Sequence, residues 1–322
     1  MTRNRITRRS ILKNTAFGAL SMLGISYFAG AETKKVWLDM TQEELDKAYT
    51  QSSYAPNMRQ VIARWRANSA LVRDRIGNPL RLAYGDNPVE SLDVFAARQV
   101  AAPVHIFIHG GGWRVGKAEN YAFPAEMFVK ADAHYVVPDF NWVQDVDDSL
   151  LPIADQVRRA VAWVYRNATE FGGDADRIYL SGHSSGGHLA GVILTTDWKN
   201  EFGLPNDIIK GGLCCSGMFD LKPVRLSARG DYIDFTDEME DALSPIRHID
   251  KLSAPLIIAY GSHETPEFAR QSGDFAKAVA DAGKSVQLVV AENYNHFEII
   301  ETLASPHGIL GSAALGQMQP AA

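Results

Sequence analysis

The chain is poor in cysteine: Cys214 and Cys215 are the only two among 322 residues, and they are neighbours. Adjacent cysteines rarely meet disulfide geometry, and no third thiol exists to pair with either. The fold is therefore expected to stand without a disulfide, with both thiols packed as small apolar side chains. Metal and nucleotide signatures are missing as well. There is no H-E-x-x-H, the histidines are scattered, the His109–Gly112 glycine loop is not followed by G-K-[ST], and no helix-opening G-x-G-x-x-G is present. Neither a metal nor a cofactor (nucleotide, flavin or pyridoxal phosphate) is expected. No linker, low-complexity tract or internal repeat interrupts the chain.

The longest apolar stretch, Ala16 to Ala29, is broken by Gly18 and Gly24. It follows Arg3, Arg5, Arg8, Arg9 and Lys13, with no acid before residue 32, and ends in Ala29-Gly30-Ala31. A basic leader, a short apolar region and a small-residue end form an export signal; the stretch is too short for a membrane span. "TRRSILK", Thr7 to Lys13, resembles the twin-arginine signal, with Ile11 where Phe is commoner. Residues 1–31 are thus expected to direct export of a folded protein to the periplasm or beyond, an uncleaved N-terminal anchor being the alternative.

Removing that leader takes five of the 32 basic residues and leaves 27 against 38 acidic ones, a net charge of −11 in place of −6. Such a surface argues against nucleic acid or an anionic membrane as partner. The pattern carries no signal of oligomeric state.

Residues 32–322 alternate short apolar runs with helical segments, the mark of a largely parallel sheet covered by helices on both faces. Thr41 and Glu44 form a capping box, and Met58 to Arg75 reads as a second helix. "LRLAYG" and "SLDVFAA" read as strands at one edge. "VHIFIHGGGW", "HYVVPDF", "RIYLSG", "GGLCCSGMF", "LIIAYGS" and "VQLVVAEN" follow, the last three as buried strands, which makes eight in all. Residues 220–246 are charged and hold no long strand, so they read either as a small cap inserted over the site or as a surface excursion.

Polar and glycine-rich residues gather at the carboxyl ends of these strands, where parallel sheets bind ligands. "LSGHSSGGH", Leu180 to His188, holds G-x-S-x-G with Ser184 at its centre. A strand before it and a helix-like run after it would lift Ser184 into a tight, exposed turn. A serine hydroxyl needs a base, and an acyl-transfer intermediate needs donors for its oxyanion. "IHGGGW", Ile108 to Trp113, supplies backbone N–H groups that no side chain shields.

HGGGW followed by G-x-S-x-G resembles the α/β-hydrolases of the hormone-sensitive-lipase type, and more closely the arylformamidase-like (kynurenine formamidase-like) esterase branch. "AYTQSSYAPN", "HGGGW", "GHSSGGHLA", "GMFDL", "YGSHETPEFARQS" and "NHFEI" occur in family order across nearly the whole segment after the leader. The resemblance implies the α/β-hydrolase fold, a serine nucleophile and hydrolysis of small esters or formamides.

Nucleophile, acid and histidine are expected in that chain order. His296 in "ENYNHFEII" follows the last strand and is the expected base. Glu264 in "LIIAYGSHE" is the expected acid, in a pattern resembling family members with Glu there, and Glu267 is its rival. His109 is expected to shape the glycine loop; His183 and His188 lie too close to Ser184 to swing onto it. Gly111, Gly112 and Ser185 are the expected oxyanion donors, ahead of Gly110. Ser185 stands where relatives often have Ala, but the donor there is the main chain.

Trp113, Trp142, Phe219 and Phe297 lie near motif loops and are expected to line the substrate pocket. No Lys or Arg is obviously placed to hold a carboxylate; Arg225 and Arg229 in residues 220–246 could do so but read as solvated, so a small neutral or aromatic substrate is expected. Three functions compete: an esterase for small acyl esters, which export favours; an amide hydrolase of the arylformamidase kind; and a non-catalytic binding protein on the same fold.

Overall fold

The computed structural model describes residues 34–318. The proposed leader, residues 1–31, lies outside them.

Alternation with period two builds the core. In β3 (Ala102–Ile108), Val104, Ile106 and Ile108 point to one apolar cluster and Phe107 to the other. The same split recurs in β5 (Gly173–His183), β6 (Ile209–Cys215) and β7 (Leu256–Gly261). A strand apolar on both sides must be covered on both. The other strands are β1 (Leu80–Ala83), β2 (Ser91–Phe95), β4 (His134–Pro138) and β8 (Val286–Ala291). They pair in the order β1-β2-β4-β3-β5-β6-β7-β8. β2 runs antiparallel to β1 and β4, and all other neighbours are parallel.

The chain enters through α1 (Gln42–Ala48), whose Thr41–Glu44 capping box is formed, and α2 (Met58–Ile76). α3 (Ala125–Lys130) follows β2 and β3 and precedes β4. α4 (Leu151–Asn167) and α5 (Ser185–Leu194) flank β5. α6 (Trp198–Phe202) precedes β6. α7 (Leu221–Leu226) and α8 (Asp237–Ala242) lie between β6 and β7, and α9 (Pro266–Asp281) links β7 to β8. α10 (Ile309–Met318) closes the described segment. Residues of α4, α5 and α9 complete one apolar cluster, and those of α2, α3 and α10 the other. The sheet is thus sandwiched, and its carboxyl ends carry the loops of interest.

Two expectations are corrected or sharpened here. β8 is not a buried strand: it is the sheet edge, with Leu288 41% and Val290 38% exposed. Residues 220–246 contain two short helices and a 3₁₀ turn, Ala228–Asp231. Cys214 and Cys215 are both free and fully buried, and burial pushes both thiols well up from their ordinary values. Among the described residues no helix is long and apolar enough to cross a membrane.

Candidate active site

Ser184 sits between the end of β5 and the start of α5 with φ +60° and ψ −126°. A non-glycine residue in such a conformation costs about 1–3 kcal/mol and must be held by its surroundings. The Ser184 N–H donates to Cys215 O at 2.9 Å, and His188 N–H donates to Ser184 O at 3.0 Å. The neighbours leave no room for side chains. A Cβ on Gly186 would lie 2.1 Å from Ile108 O, and one on Gly110 would lie 2.7 Å from His183 O and 3.1 Å from Ser184 Cβ. The two glycines let the HGGG loop and the serine turn touch through their backbones.

His296 lies beyond β8, in the loop that opens the C-terminal segment. Its Nε2 is 2.8 Å from Ser184 Oγ and its Nδ1 is 2.7 Å from Glu264 Oε2. Nδ1–H donating to the carboxylate leaves Nε2 as the acceptor of the serine proton. Both side chains are nearly closed to solvent, with 4% of His296 and none of Glu264 exposed. The Glu264 carboxylate also accepts from Ser216 Oγ at 2.6 Å, the Gly261 N–H at 2.8 Å and Gln51 Nε2 at 3.1 Å. These donors satisfy a buried carboxylate and set its longer side chain at the right distance. The rival, Glu267, is turned elsewhere, to Arg270 at 2.5 Å and the Tyr49 hydroxyl at 2.9 Å.

The structure therefore brings Ser184, Glu264 and His296 together and leaves Glu267 out. It also gives His183 a task that sequence reasoning passed over. His183 Nε2 donates to the main-chain oxygen of His296 at 2.8 Å, and the rings lie 4.8 Å apart. Burial, then the neighbouring His296, push the His183 value well below the ordinary one, so the ring is neutral. No second positive charge competes with an imidazolium on His296.

Gly111 and Gly112 line the same cavity as Ser184 and His296, at φ +126° and +62°. Among the described residues, the N–H groups of Gly111, Gly112 and Ser185 donate to no protein group. The Ser185 hydroxyl accepts from the Trp113 N–H at 3.3 Å, which ties the glycine loop to the serine turn. His109 packs between Phe140 and Tyr121, with centroids at 4.3 and 5.4 Å, and its Nδ1 donates to Gly110 O at 3.0 Å. It does shape the glycine loop.

The cavity measures about 970 Å³. Trp142 and Phe297 line it as expected, but Trp113 and Phe219 do not. Trp113, at φ +61°, turns its ring into the core, edge-on to His188 at 5.2 Å. Phe219 is fully buried and stacks on Phe275 at 4.5 Å. Tyr49, Trp65, Tyr121 and Tyr232 complete the aromatic wall instead. Trp65 is a buried position of α2, where a helical apolar stripe gives no hint of a ligand. Arg229 also lines the cavity, part-buried, with its Nε shielded from solvent. Arg225 is paired with Asp237 at 2.5 Å and Glu240 at 3.3 Å. Among the described residues, no group of three or more potential ligands is placed to hold a metal ion.

Comparison with known proteins finds similar hydrolases. A family model described as BD-FAE matches residues 92–211, and that of the prolyl oligopeptidase family matches residues 153–307. A kynurenine formamidase of Danio rerio is 29% identical over 287 residues, covering 85% of this chain and 95% of the relative. The esterase LipC of Mycobacterium tuberculosis is 26% identical over 317 residues, covering 84% and 76%. Among solved structures, a protein from Silicibacter sp. tm1040 superposes with a TM-score of 0.75 at 24% identity, covering 84% of this chain and 99% of that one. The esterase LipW of Mycobacterium marinum gives 0.67 at 17%, covering 84% and 92%. The chain has the α/β-hydrolase fold and is a hydrolase related to esterases and kynurenine formamidases.

Proposed function

We propose that the chain cleaves small carboxylic esters through an acyl-enzyme formed on Ser184. The observation that carries this reading is the chain of contacts from Ser184 Oγ to His296 Nε2 at 2.8 Å and from His296 Nδ1 to Glu264 at 2.7 Å. His296 takes the serine proton as Oγ attacks the carbonyl carbon, and Glu264 holds the ring in the required tautomer and stabilises the imidazolium. The N–H groups of Gly111, Gly112 and Ser185 receive the oxyanion. The tetrahedral adduct collapses, His296 protonates the leaving group, and water repeats the sequence on the acyl-enzyme. A labelled fluorophosphonate followed by peptide mapping tests the assignment: the adduct is expected on Ser184, and an adduct on any other serine overturns it.

The second reading is an N-formyl amide hydrolase. It is favoured by the 95% coverage of a kynurenine formamidase. The same residues would serve both reactions, so relative rates on p-nitrophenyl acetate and an N-formyl aniline separate them. We also propose that residues 1–31 export the protein, a reading supported by Arg8-Arg9 and the Ala29-Gly30-Ala31 end. N-terminal sequencing of the periplasmic chain would test it; full-length chain confined to the cytoplasm would end it.

A further inference from the structure

We propose that Arg229 anchors an anionic group of the substrate, so that the ester or amide cleaved belongs to a molecule carrying a carboxylate. The inference rests on the hydrolase reading above and names its substrate class.

Arg229 lies in the 3₁₀ turn Ala228–Asp231, held by its N–H bond to Ser227 Oγ at 3.3 Å. Its guanidinium is permanently charged and carries five N–H donors. Nη1 donates to the Tyr232 hydroxyl at 2.8 Å and Nη2 to Tyr49 O at 3.2 Å, both neutral acceptors. Nε is buried without an acceptor, and among the described residues no carboxylate lies within 4.0 Å of the group. Three arginines elsewhere in the fold are paired: Arg225, Arg247 and Arg270 each face two or more carboxylates. A half-buried cation left without a counter-charge is costly unless something supplies one.

The position says what would supply it. Nη1 is 3.5 Å, and the Tyr232 hydroxyl 3.8 Å, from where a Cβ on Gly112 would sit. The group therefore stands beside the bare peptide nitrogens at which the oxyanion forms, in the wall shared with Ser184 and His296. The face of Trp113 lies beneath it, with the ring centroid 5.6 Å from Cζ, which holds the guanidinium plane in place. The rest of the wall has the same sign. Arg66, Arg73, Lys117 and Arg229 stand against Asp46 and Glu119, in a chain whose net charge is −6. Asp46 already accepts from the Ala228 N–H at 2.7 Å and from Gln42 at 2.8 Å. A positive cleft in a negative protein concentrates anions at its mouth.

The test uses the purified chain and two matched aryl esters, phenyl acetate and 3-acetoxybenzoate, which differ by one remote carboxylate. A hydrogen-bonded charge pair is worth about tenfold or more. The wild type is expected to favour the carboxylate ester by that factor in kcat/KM, mainly through KM. Arg229→Gln should bring the two esters to within about threefold of each other, and Arg229→Lys should recover part of the preference. Equal loss on both esters in Arg229→Gln, or no wild-type preference, overturns the proposal. Benzoate binding, measured by calorimetry, gives a readout that needs no turnover: at least tenfold weakening in Arg229→Gln supports the anion site, and unchanged binding refutes it. If neither ester is hydrolysed while benzoate still binds through Arg229, the hydrolase reading fails and the anion site stands.

Discussion

The residue before the proposed nucleophile holds the proposed base: His183 Nε2 donates to His296 O at 2.8 Å. The Ser184 turn and the His296 loop, contributed by β5 and the segment after β8, are thereby joined through the main chain as well as through the catalytic contact. His183→Phe keeps the bulk and removes the donor. With a hydrogen bond worth about 1–1.5 kcal/mol, kcat should fall about tenfold with KM little changed. A variant with the wild-type kcat would show that His183 merely fills space.

Ser184→Ala and His296→Ala should each lower kcat by about 10⁴–10⁶, and the double variant should lose little more, because the two act as a unit. A tenth of the activity surviving in either would remove that residue from the chemistry.

Glu264 and Glu267 make opposite predictions. Glu264→Gln leaves Nδ1 without its carboxylate and should cost about 10⁴ in kcat, as the wrong tautomer becomes available. Glu267→Gln touches only Tyr49 and Arg270, so it should lower the melting temperature while kcat stays within about threefold. Kinetics and thermal melts of the two variants would distinguish them, and the reverse pattern would exchange their roles.

Gly110→Ala should damage catalysis without a change in any reacting group. The new methyl would lie 2.7 Å from His183 O, so the glycine loop must move off the serine turn. A displaced oxyanion donor costs about 3 kcal/mol, or about two orders of magnitude in kcat. Circular dichroism and phosphonate labelling would separate this outcome from unfolding.

Stability should fall in acid. Burial pushes His105 down to about 3, His188 down to about 4, and His183 well below the ordinary value. The unfolded chain, with histidines near 6.5, then binds more protons than the native state below that pH. Stability is complete above pH 6.5 and drops by about 1.4 kcal/mol per pH unit for each such histidine until its folded value is reached. His188→Gln should make the pH 7 to pH 5 decline shallower by about 2 kcal/mol in denaturant melts. An unchanged slope would show that His188 does not titrate on unfolding.

Much of this arrangement was legible because it is local. A strand, a glycine-rich turn and a helix place Ser184, and the HGGG run must expose its nitrogens wherever it folds. The order of strands located Glu264 and His296 at strand ends. What stayed hidden depends on direction. Trp113 sits in the motif, yet its positive φ turns the ring inward while its glycine neighbours face the cavity. Phe219 follows a strand end, but Phe275 of α9 covers it. The apolar pattern of β8 reads like that of β7, and only its place at the end of the sheet exposes Leu288 and Val290. Trp65 and Arg229 reach the cavity from a helix and a turn whose local patterns describe ordinary packing and an ordinary surface charge.

Gln51 clasps the acid loop from far away: its Oε1 accepts from the Thr265 N–H at 3.2 Å, and its Nε2 reaches Glu264, 213 residues on. A contact of that span closes late, after the strands between have paired. During synthesis the nascent chain would present its serine turn long before the groups that arm it arrive, and would stay chemically silent until the last loops docked on the first. Competence for hydrolysis would then report completion of the whole sheet.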